Sequence, residues 1–391
     1  MILLLGLYSQ CSFAQWAKLN SGTEEELNSI FFSDENIGYT CGSNGHVGKT
    51  IDGGKNWTDV SLSKPFKLHD LYFLDSLRGY VVGLNALIYK TIDGGVNWTE
   101  DKPISGETEI KSIAFKDTSY GVAVGEEGKI YVYENGIWTK QSLSNRVNLN
   151  DVAINDNGFA IIAADSGKIY RKKQVDPLFD LYPGYSSTTP FTSVQFIEDI
   201  IYITGGWFDD SLKRFTWHFL ESKDSGEVFT KNSTMDLEAM NKTHFISLDK
   251  AYYLGKSTGF YASDDKFKSN YRLLPGTNNT LNNFFFVNQD VVFACGVAGT
   301  IVKTSHSPGW NTSNEELEMN LGFYPNPAKK YILFNSPKVQ HLSLYNSHGL
   351  LVMEQTIIDS KVDVSLLPKG MYVSVIRYQG DQVNMGKLIL E

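Results

Sequence analysis

The stretch LNSIFFSDENIGYTCGSNGHVGKTIDGGKNW, residues 27–57, decides the fold because most of it returns further along the chain. At a constant offset of 41 residues it matches LHDLYFLDSLRGYVVGLNALIYKTIDGGVNW, residues 68–98. Weaker copies follow in residues 110–138 and 149–173. Each copy reads as short alternating strands separated by Gly-rich turns, which indicates a repeat architecture built from β-strands.

The small residue that ends the second strand of each repeat sets the period. The steps between these residues are 41, 42, 39, 41, 50 and 41, and the residues are Gly42, Gly83, Gly125, Ala164, Gly205, Gly255 and Gly296. Seven such units of about four strands predict an all-β chain with a seven-bladed β-propeller over residues 15–310. Trp16-Ala17-Lys18-Leu19 resembles the outer strand Trp57–Val60, so we expect the N-terminal segment to close the ring as the outer strand of the last blade.

Composition narrows the class of protein. Aromatic residues make up 13% and charged residues 20%, with 34 glycines, a profile that favours strands and tight turns and excludes a disordered chain. The net charge is −9, from 44 acidic and 35 basic residues without a basic block, so we expect no nucleic-acid partner.

The first residues, MILLLGLYSQCSFAQ, predict a secretory signal peptide over residues 1–14, cleaved between Ala14 and Gln15. A lipoprotein site at Cys11 is the weaker alternative, because Gln10 stands where a small residue is needed. The apolar run is shorter than a membrane span, and no later segment is long enough, so we expect no span. The two remaining cysteines, Cys41 and Cys295, fall on equivalent strands of neighbouring blades, roughly 10 Å apart, and should be buried free thiols.

The turns KTIDGGKNW and KTIDGGVNW resemble the Asp-box of bacterial neuraminidase repeats. Asp52 and Asp93 can accept backbone hydrogen bonds within the turn, the Gly pairs supply positive φ, and Trp57 and Trp98 can pack into the sheet. We therefore expect a structural role. SKDSGEVF, residues 222–229, is a faded copy.

These repeats resemble the photosystem II stability/assembly factor-like propellers, over about residues 15–310. The resemblance implies a scaffold that binds a protein or another ligand and has no known catalytic residues. The photosynthetic role itself is not carried over, because such domains also occur in secreted bacterial proteins.

A second module follows a polar linker, residues 311–319, and spans residues 320–391. Its period-two runs predict a small β-sandwich. Its motifs, YPNPA, LYNSHGLLV, VSLLPKGMYVSVI and KLIL, resemble the C-terminal sorting domain of the type IX secretion system. The resemblance implies passage across the outer membrane of a Gram-negative bacterium, with the type IX machinery as partner and release or attachment at the cell surface.

No catalytic constellation stands out. The chain has six arginines that do not repeat with the blades, and it lacks H-E-x-x-H, G-x-S-x-G and P-loop motifs. We therefore expect no cofactor, no metal and no catalysis, in a monomer that binds an unknown protein or glycan. A secreted glycan-active hydrolase of the Asp-box propeller type is the alternative.

An insertion in the fifth repeat predicts where that ligand binds. Between Gly205 and Asp224 this repeat is nine residues longer than the first, around GWFDDSLKRFTW, and the preceding crossing YPGYSSTTP is also aromatic. We expect a ligand patch on the face opposite the Asp-box turns. It consists of Tyr182, Tyr185, Trp207 and Phe208, with Asp209 and Asp210 on its rim. The alternative is that these rings pack on each other to cap an irregular blade.

Overall fold

The computed structural model describes residues 16–101, 108–185, 187–209, 214–231, 240–255, 259–273, 275–288, 290–304, 323–324, 328–334, 339–345, 351–357, 361–378 and 383–390. The predicted signal peptide with Ala14 and Gln15, and the predicted linker 311–319, lie outside the described residues. The chain divides into two compact units, which separate near residue 311. Among the described residues, no helix is long and apolar enough to cross a membrane.

The first unit consists of four-stranded antiparallel sheets. After β1 (Trp16–Leu19), sheet one contains β2 (Leu27–Phe32), β3 (Gly38–Gly42), β4 (Val47–Thr50) and β5 (Thr58–Asp59). Sheet two contains β6 (Leu68–Phe73), β7 (Gly79–Gly83), β8 (Leu87–Thr91) and β9 (Thr99–Glu100). Sheet three contains β10 (Ile110–Asp117), β11 (Tyr120–Gly125), β12 (Lys129–Glu134) and β13 (Ile137–Ser142).

The remaining sheets of this unit follow the same order. Sheet four contains β14 (Leu149–Ile154), β15 (Ala160–Ala164), β16 (Ile169–Lys172) and β17 (Asp180–Leu181). Sheet five contains β18 (Phe191–Ile197), β19 (Ile200–Asp209), β20 (Arg214–Ser222) and β21 (Thr230–Lys231). Sheet six contains β22 (Met240–Phe245), β23 (Ala251–Gly255), β24 (Phe260–Ser263) and β25 (Tyr271–Leu273). Sheet seven contains β26 (Leu281–Phe286), β27 (Val292–Gly296), β28 (Ile301–Thr304) and, on its outer edge, β1.

The first strands of these sheets form a closed ring. Each of them contacts the first strand of the next sheet, and β26 of sheet seven contacts β2 of sheet one. The closing strand is the one that the sequence predicts: β1 pairs with β28, with Trp16 opposite Thr304 and Leu19 opposite Ile301. The first and last parts of the unit are therefore joined in one sheet, which covers the edge of β28.

Apolar clusters fill the junctions between neighbouring sheets. Ile30 and Phe32 of sheet one pack against Phe293 and Cys295 of sheet seven, and Leu71 and Phe73 of sheet two pack against sheet one. The first strands therefore supply the junction core, as their apolar-x-apolar pattern predicts. Cys41 and Cys295 are buried and free, as expected.

Glycine ends the second strand of most sheets because the backbone of the first strand lies against it. A Cβ at Gly42 would stand 1.9 Å from the carbonyl oxygen of Glu26, and one at Gly296 would stand 1.9 Å from that of Thr280. In sheets one to four the turn that follows is a short 3₁₀ segment, Ser43–Gly45, Leu84–Ala86, Glu126–Gly128 or Asp165–Gly167.

The second unit contains two antiparallel sheets. Its strands are β29 (Phe323–Tyr324), β30 (Tyr331–Phe334), β31 (Val339–Tyr345), β32 (Leu351–Thr356), β33 (Lys361–Asp363), β34 (Gly370–Tyr378) and β35 (Val383–Leu390). One sheet has the order β29-β30-β33 and the other β32-β31-β34-β35. Ile332 and Phe334 of the first share a buried cluster with Leu342, Leu344 and Ile376 of the second, as in a small sandwich.

Candidate functional site

Four of the turns that join third to fourth strands, in sheets one, two, five and six, share one hydrogen-bond pattern around an aspartate. In the first, Thr50 Oγ1 donates to Asp52 Oδ1 over 2.9 Å and accepts the backbone N–H of Gly54 over 2.9 Å, while Asp52 Oδ1 accepts that of Asn56 over 2.9 Å. Gly53 and Gly54 have φ of 70° and 83°. We call residues 50–57, 91–98, 222–229 and 263–270 the aspartate turns, since each repeats this pattern.

Sequence reasoning missed the aspartate turn in sheet six. Ser263 Oγ donates to Asp265 Oδ1 over 3.0 Å and accepts the N–H of Phe267 over 2.8 Å, as Thr50 does for Asp52 and Gly54. Lys266 and Phe267, with φ of 57° and 62°, occupy the two glycine positions and hide the motif. The available signal was Ser-x-Asp at an offset of 41 from Ser222.

The aspartate turns also fasten neighbouring sheets to each other. Lys49 of sheet one donates to the carbonyl oxygen of Gly94 in sheet two over 2.6 Å, and Lys303 of sheet seven donates to that of Gly53 over 2.9 Å. Arg171 Nη1 of sheet four likewise donates to the carbonyl oxygen of Gly226 in sheet five over 2.6 Å. Trp57 and Trp98 pack edge-on against Phe32 and Phe73 in the junction cores. These contacts give the turns a structural role.

The turn aspartates are held in the ionised form. Hydrogen bonds from the backbone N–H and the side chain of Asn56 lower the pKa of Asp52 to about 2, and Asn97 does the same for Asp93. A carboxylate that accepts this many local bonds is poorly suited to take up a proton near neutral pH.

A second set of polar side chains lies on the first strands, around the inside of the ring. Each follows a shift of register in its strand, and the set, which we call the inner polar ring, is Ser29, Asp70, Ser112, Asp151, Ser193, Lys242 and Asn283. These positions are equivalent in the seven repeats, so an alignment of the repeats shows a polar residue at each of them. Only the closed ring shows that these residues lie near one another.

Hydrogen bonds connect the members of the inner polar ring from sheet to sheet. Ser29 Oγ donates to Asp70 Oδ1 over 2.8 Å, and Ser112 Oγ donates to Asp151 Oδ1 over 2.9 Å. The second oxygens of these carboxylates accept backbone N–H groups of the following sheets, from Ile113 over 3.1 Å and Val194 over 2.9 Å. Both carboxylate oxygens of Asp70 and of Asp151 therefore accept hydrogen bonds from the protein.

Lys242 brings a cation to the two carboxylates. It reaches past sheet five to Asp151, with Nζ 3.1 Å from Oδ2. Burial would lower the pKa of Lys242, but the Asp151 and Asp70 carboxylates outweigh it and raise the pKa. Burial raises the pKa of Asp70. Among the described residues, no group of three or more His, Cys, Asp or Glu could hold a metal ion.

The predicted ligand patch is only partly brought together, and Tyr182 is the clear correction. Its side chain is buried in the junction between sheets four and five, where its ring meets the edge of Phe229 and its hydroxyl accepts the Phe229 N–H over 3.3 Å. The backbone N–H of Tyr182 still binds the carbonyl oxygen of Ile169, so the chain continues alongside β16, and Tyr182, next to the exposed Leu181, faces the core. Periodicity could not show this, because the crossing between the sheets does not repeat.

Tyr185 lies at the half-buried centre of a polar cluster on sheet five. Its hydroxyl is 2.6 Å from His218 Nδ1, and Lys231 Nζ donates to His218 Nε2 over 3.0 Å. Burial and the nearby Lys231 charge lower the pKa of His218 to about 4, so the imidazole is neutral at pH 7. Ser187 Oγ is also within 3.3 Å of Nδ1. Sequence reasoning did not single out His218, Ser187 or Lys231.

The inserted residues lengthen one hairpin. β19 and β20 remain paired as far as Asp209 and Arg214, beyond the point where second strands end elsewhere. Trp207 pairs with Thr216, on the same sheet face as His218, which pairs with Gly205. Trp207 is 37% exposed. The side chains of Phe208 and Asp209, and the whole of Asp210, lie outside the described residues.

Family models match two separate parts of the chain. Residues 55–177 match the model described as photosynthesis system II assembly factor YCF48, and residues 322–391 match the secretion system C-terminal sorting domain. None of the curated proteins matches the chain. The second match supports export and attachment at the surface of a bacterium through the type IX secretion system.

Solved structures show the same architecture. YCF48 bound to D1 peptide is 14% identical, with a TM-score of 0.58 over 75% of this chain and 97% of that one. YCF48 from Cyanidioschyzon merolae is 18% identical, with a TM-score of 0.59 over 74% and 98%. Virginiamycin B lyase from Staphylococcus aureus is 10% identical, with a TM-score of 0.62 over 74% and 99%.

At these identities the likeness shows the fold alone, since propellers carry many functions. It establishes the first unit as a β-propeller. The chain thus joins a propeller similar to those of YCF48 to a C-terminal sorting domain, which is the composition of a secreted propeller protein.

Proposed function

We propose that the propeller binds a protein or glycan at the surface of sheet five and does not convert it. The observation that carries the proposal is the exposed Trp207 ring, which stands on an extended hairpin on the same sheet face as the Tyr185–His218–Lys231 cluster. An aromatic face beside hydrogen-bonding groups suits both a peptide and a sugar ring. The hydrogen bonds of His218 hold this surface in one conformation, which lowers the entropic cost of binding.

Four carboxylates of the propeller are poorly suited to catalysis. General acid–base chemistry needs a group that can exchange a proton with the substrate. Asp70 and Asp151 have both oxygens occupied by protein donors, and Asp52 and Asp93 hold their own turns. The structure of YCF48 with a D1 peptide offers a precedent for a peptide ligand on a propeller of this fold.

The proposed export of the chain has two stages, one for each membrane. A signal peptide ending at Ala14 would take the chain across the inner membrane of a Gram-negative cell. Residues 320–391 would then engage the type IX machinery for transfer across the outer membrane, with the propeller released or held at the cell surface as a monomer. The match to the sorting domain supports this route.

Binding can be tested with variants of one exposed side chain. The purified chain and its Trp207→Ser variant would be titrated with a polysaccharide panel and with surface proteins from the native bacterium. We expect affinity for the selected ligand to fall about tenfold in the variant with an unchanged melting temperature, since removing an aromatic anchor typically costs 1–2 kcal/mol. Ile137→Ser, an equally apolar exposed position on sheet three, is the matched control and should bind normally.

Turnover is tested in the same reactions by assaying released sugars. Sugar release that a single Asp→Asn or Glu→Gln substitution abolishes would establish the hydrolase alternative. Unfolding of the Trp207→Ser variant would show that the ring is part of the core.

A further inference from the structure

The second residue of a first strand can fasten its sheet to the next one. Asn28 Nδ2 of sheet one donates to the carbonyl oxygen of Leu68, the first residue of β6, over 2.7 Å. Equivalent bonds, over 2.8, 2.7 and 2.9 Å, run from Asn150 to Phe191, from Thr192 to Met240 and from Asn282 to Leu27. They join sheet four to five, five to six and seven to one.

Asn241 occupies this position in sheet six but makes no such bond to Leu281, the first residue of β26. Its side chain is exposed. β22 and β26 approach each other over fewer residues than other neighbouring first strands do. Because asparagine forms the bond at three other junctions, its absence here reflects a wider gap between sheets six and seven.

The hydrogen bonds of the inner polar ring also skip this junction. Every other junction has at least one of them, as where Asn283 Nδ2 of sheet seven donates to Ser29 Oγ of sheet one over 3.1 Å. Lys242 of sheet six points away from sheet seven, to Asp151 of sheet four. Within the part of the chain that the structure describes, no hydrogen bond or ion pair joins sheet six to sheet seven.

Apolar contacts, most of them between rings, hold this junction together. The ring centroids of Phe260 in sheet six and Phe284 in sheet seven are 4.9 Å apart, and His244 stacks on Phe286 at 5.1 Å. Burial and the Lys242 charge lower the pKa of His244 to about 4, so its ring is neutral at pH 7. Parting these sheets therefore breaks apolar contacts, whereas parting any other pair breaks hydrogen bonds as well.

We propose that the propeller ring opens at one place, between sheets six and seven, while its other junctions stay closed. The opening turns the ring into an open arc and uncovers Phe260 and Phe284, which are buried when the ring is closed. Such a local opening needs less free energy than unfolding of the whole unit. It does not involve Trp207, so it does not depend on the proposed ligand site.

Buried thiols can report this opening, because a thiol that is shielded from solvent reacts only when its surroundings open. Ala262 of sheet six faces sheet seven, and Ala251 of the same sheet faces sheet five. Ala294 of sheet seven faces sheet six, and the native Cys295 beside it faces sheet one. All four are fully buried. Ala262→Cys, Ala251→Cys and Ala294→Cys would each be introduced into the intact chain and treated with N-ethylmaleimide in native buffer, and mass spectrometry would follow modification at every cysteine.

We expect the thiols of Ala262→Cys and Ala294→Cys to react at least tenfold faster than those of Ala251→Cys and Cys295. Equal rates at all four positions would show that only global unfolding exposes them and would overturn the proposal. Fast reaction on one side of the junction alone would show that a single sheet unfolds by itself, and would also overturn it. If one of the two variants at the junction melts well below the parent chain, the other is judged against its own control on the same sheet.

Discussion

At the scale of single residues, the aspartate turns depend on a carboxylate and on two positions of positive φ. The first two turns place glycine at both positions, whereas sheet five has Ser225, with φ of 57°, at the first. An L-residue in the left-handed region costs about 1 kcal/mol relative to glycine.

Ser225→Gly should therefore stabilise the propeller by about 0.5–1 kcal/mol, because Ser225 is exposed and its side chain is not part of the hydrogen-bond pattern of the turn. Urea unfolding followed by tryptophan fluorescence measures the change. Ser225→Ala is the control and should give no gain, because alanine has the same φ restriction. An equal gain in both variants would contradict the argument.

The turn aspartates also predict how the protein responds to acid. Asp52 and Asp93 have a folded-state pKa of about 2, below the 3.8 of a free aspartate side chain, and the pKa of Asp224 and Asp265 is lowered as well. A lowered folded-state pKa contributes stability that is present above the unfolded pKa and is lost as pH falls through the folded one. We expect the melting temperature to drop between about pH 4 and pH 2.

The Asp52→Asn/Asp93→Asn variant should melt lower than the parent chain at pH 7 and show a smaller drop in acid. Asp156→Asn, at an exposed position in another turn, should behave like the parent chain. If the melting temperatures of all three chains, measured by calorimetry, fall in parallel with pH, the turn carboxylates do not cause the loss of stability in acid.

At the scale of elements, the first strands are joined by apolar pairs and by the inner polar ring. Lys242→Met should destabilise the propeller by about 1–3 kcal/mol, since Asp151 keeps its buried position but loses its cation. The loss is smaller than for a fully buried ion pair because the Lys242 side chain is 34% exposed. Chemical denaturation of Lys242→Met, Asp151→Asn and the double variant measures the coupling. Strictly additive losses would show that the two residues do not act together.

The sequence predicts the repeating parts of the fold best. The period, the closing strand at Trp16, the apolar pairs such as Ile30 and Phe32, and the hydrogen bonds of Asp52 each recur or act over a few residues, so one alignment reveals them. The same alignment of the repeats shows the polar residues of the inner polar ring. Their hydrogen bonds could not be predicted from it, because these bonds join different sheets. Tyr182 was wrongly placed at the surface because a single crossing segment has no counterpart to compare.

At the scale of the whole molecule, the two units have separate sheets and separate cores. Deletion of residues 322–391 should leave the melting temperature of the propeller unchanged within about 2 °C, because its junction clusters and its closing strand remain. The shortened chain should accumulate inside the cell, since it lacks the part that matches the sorting domain. Cell fractionation and calorimetry check the two parts, and normal export of the shortened chain would contradict the assignment.

The pairing of β1 with β28 also determines when the propeller can finish folding. Its two partners, Trp16 and Thr304, stand at opposite ends of the unit, so the ring cannot close until the whole propeller sequence is available. Contacts between such distant residues form slowly, because the entropy of a very long loop must be lost first. Until then β1 has no partner and the edge of β28 is open to other chains. A newly made chain therefore passes through one late closing step, before which it is most exposed to proteases and aggregation.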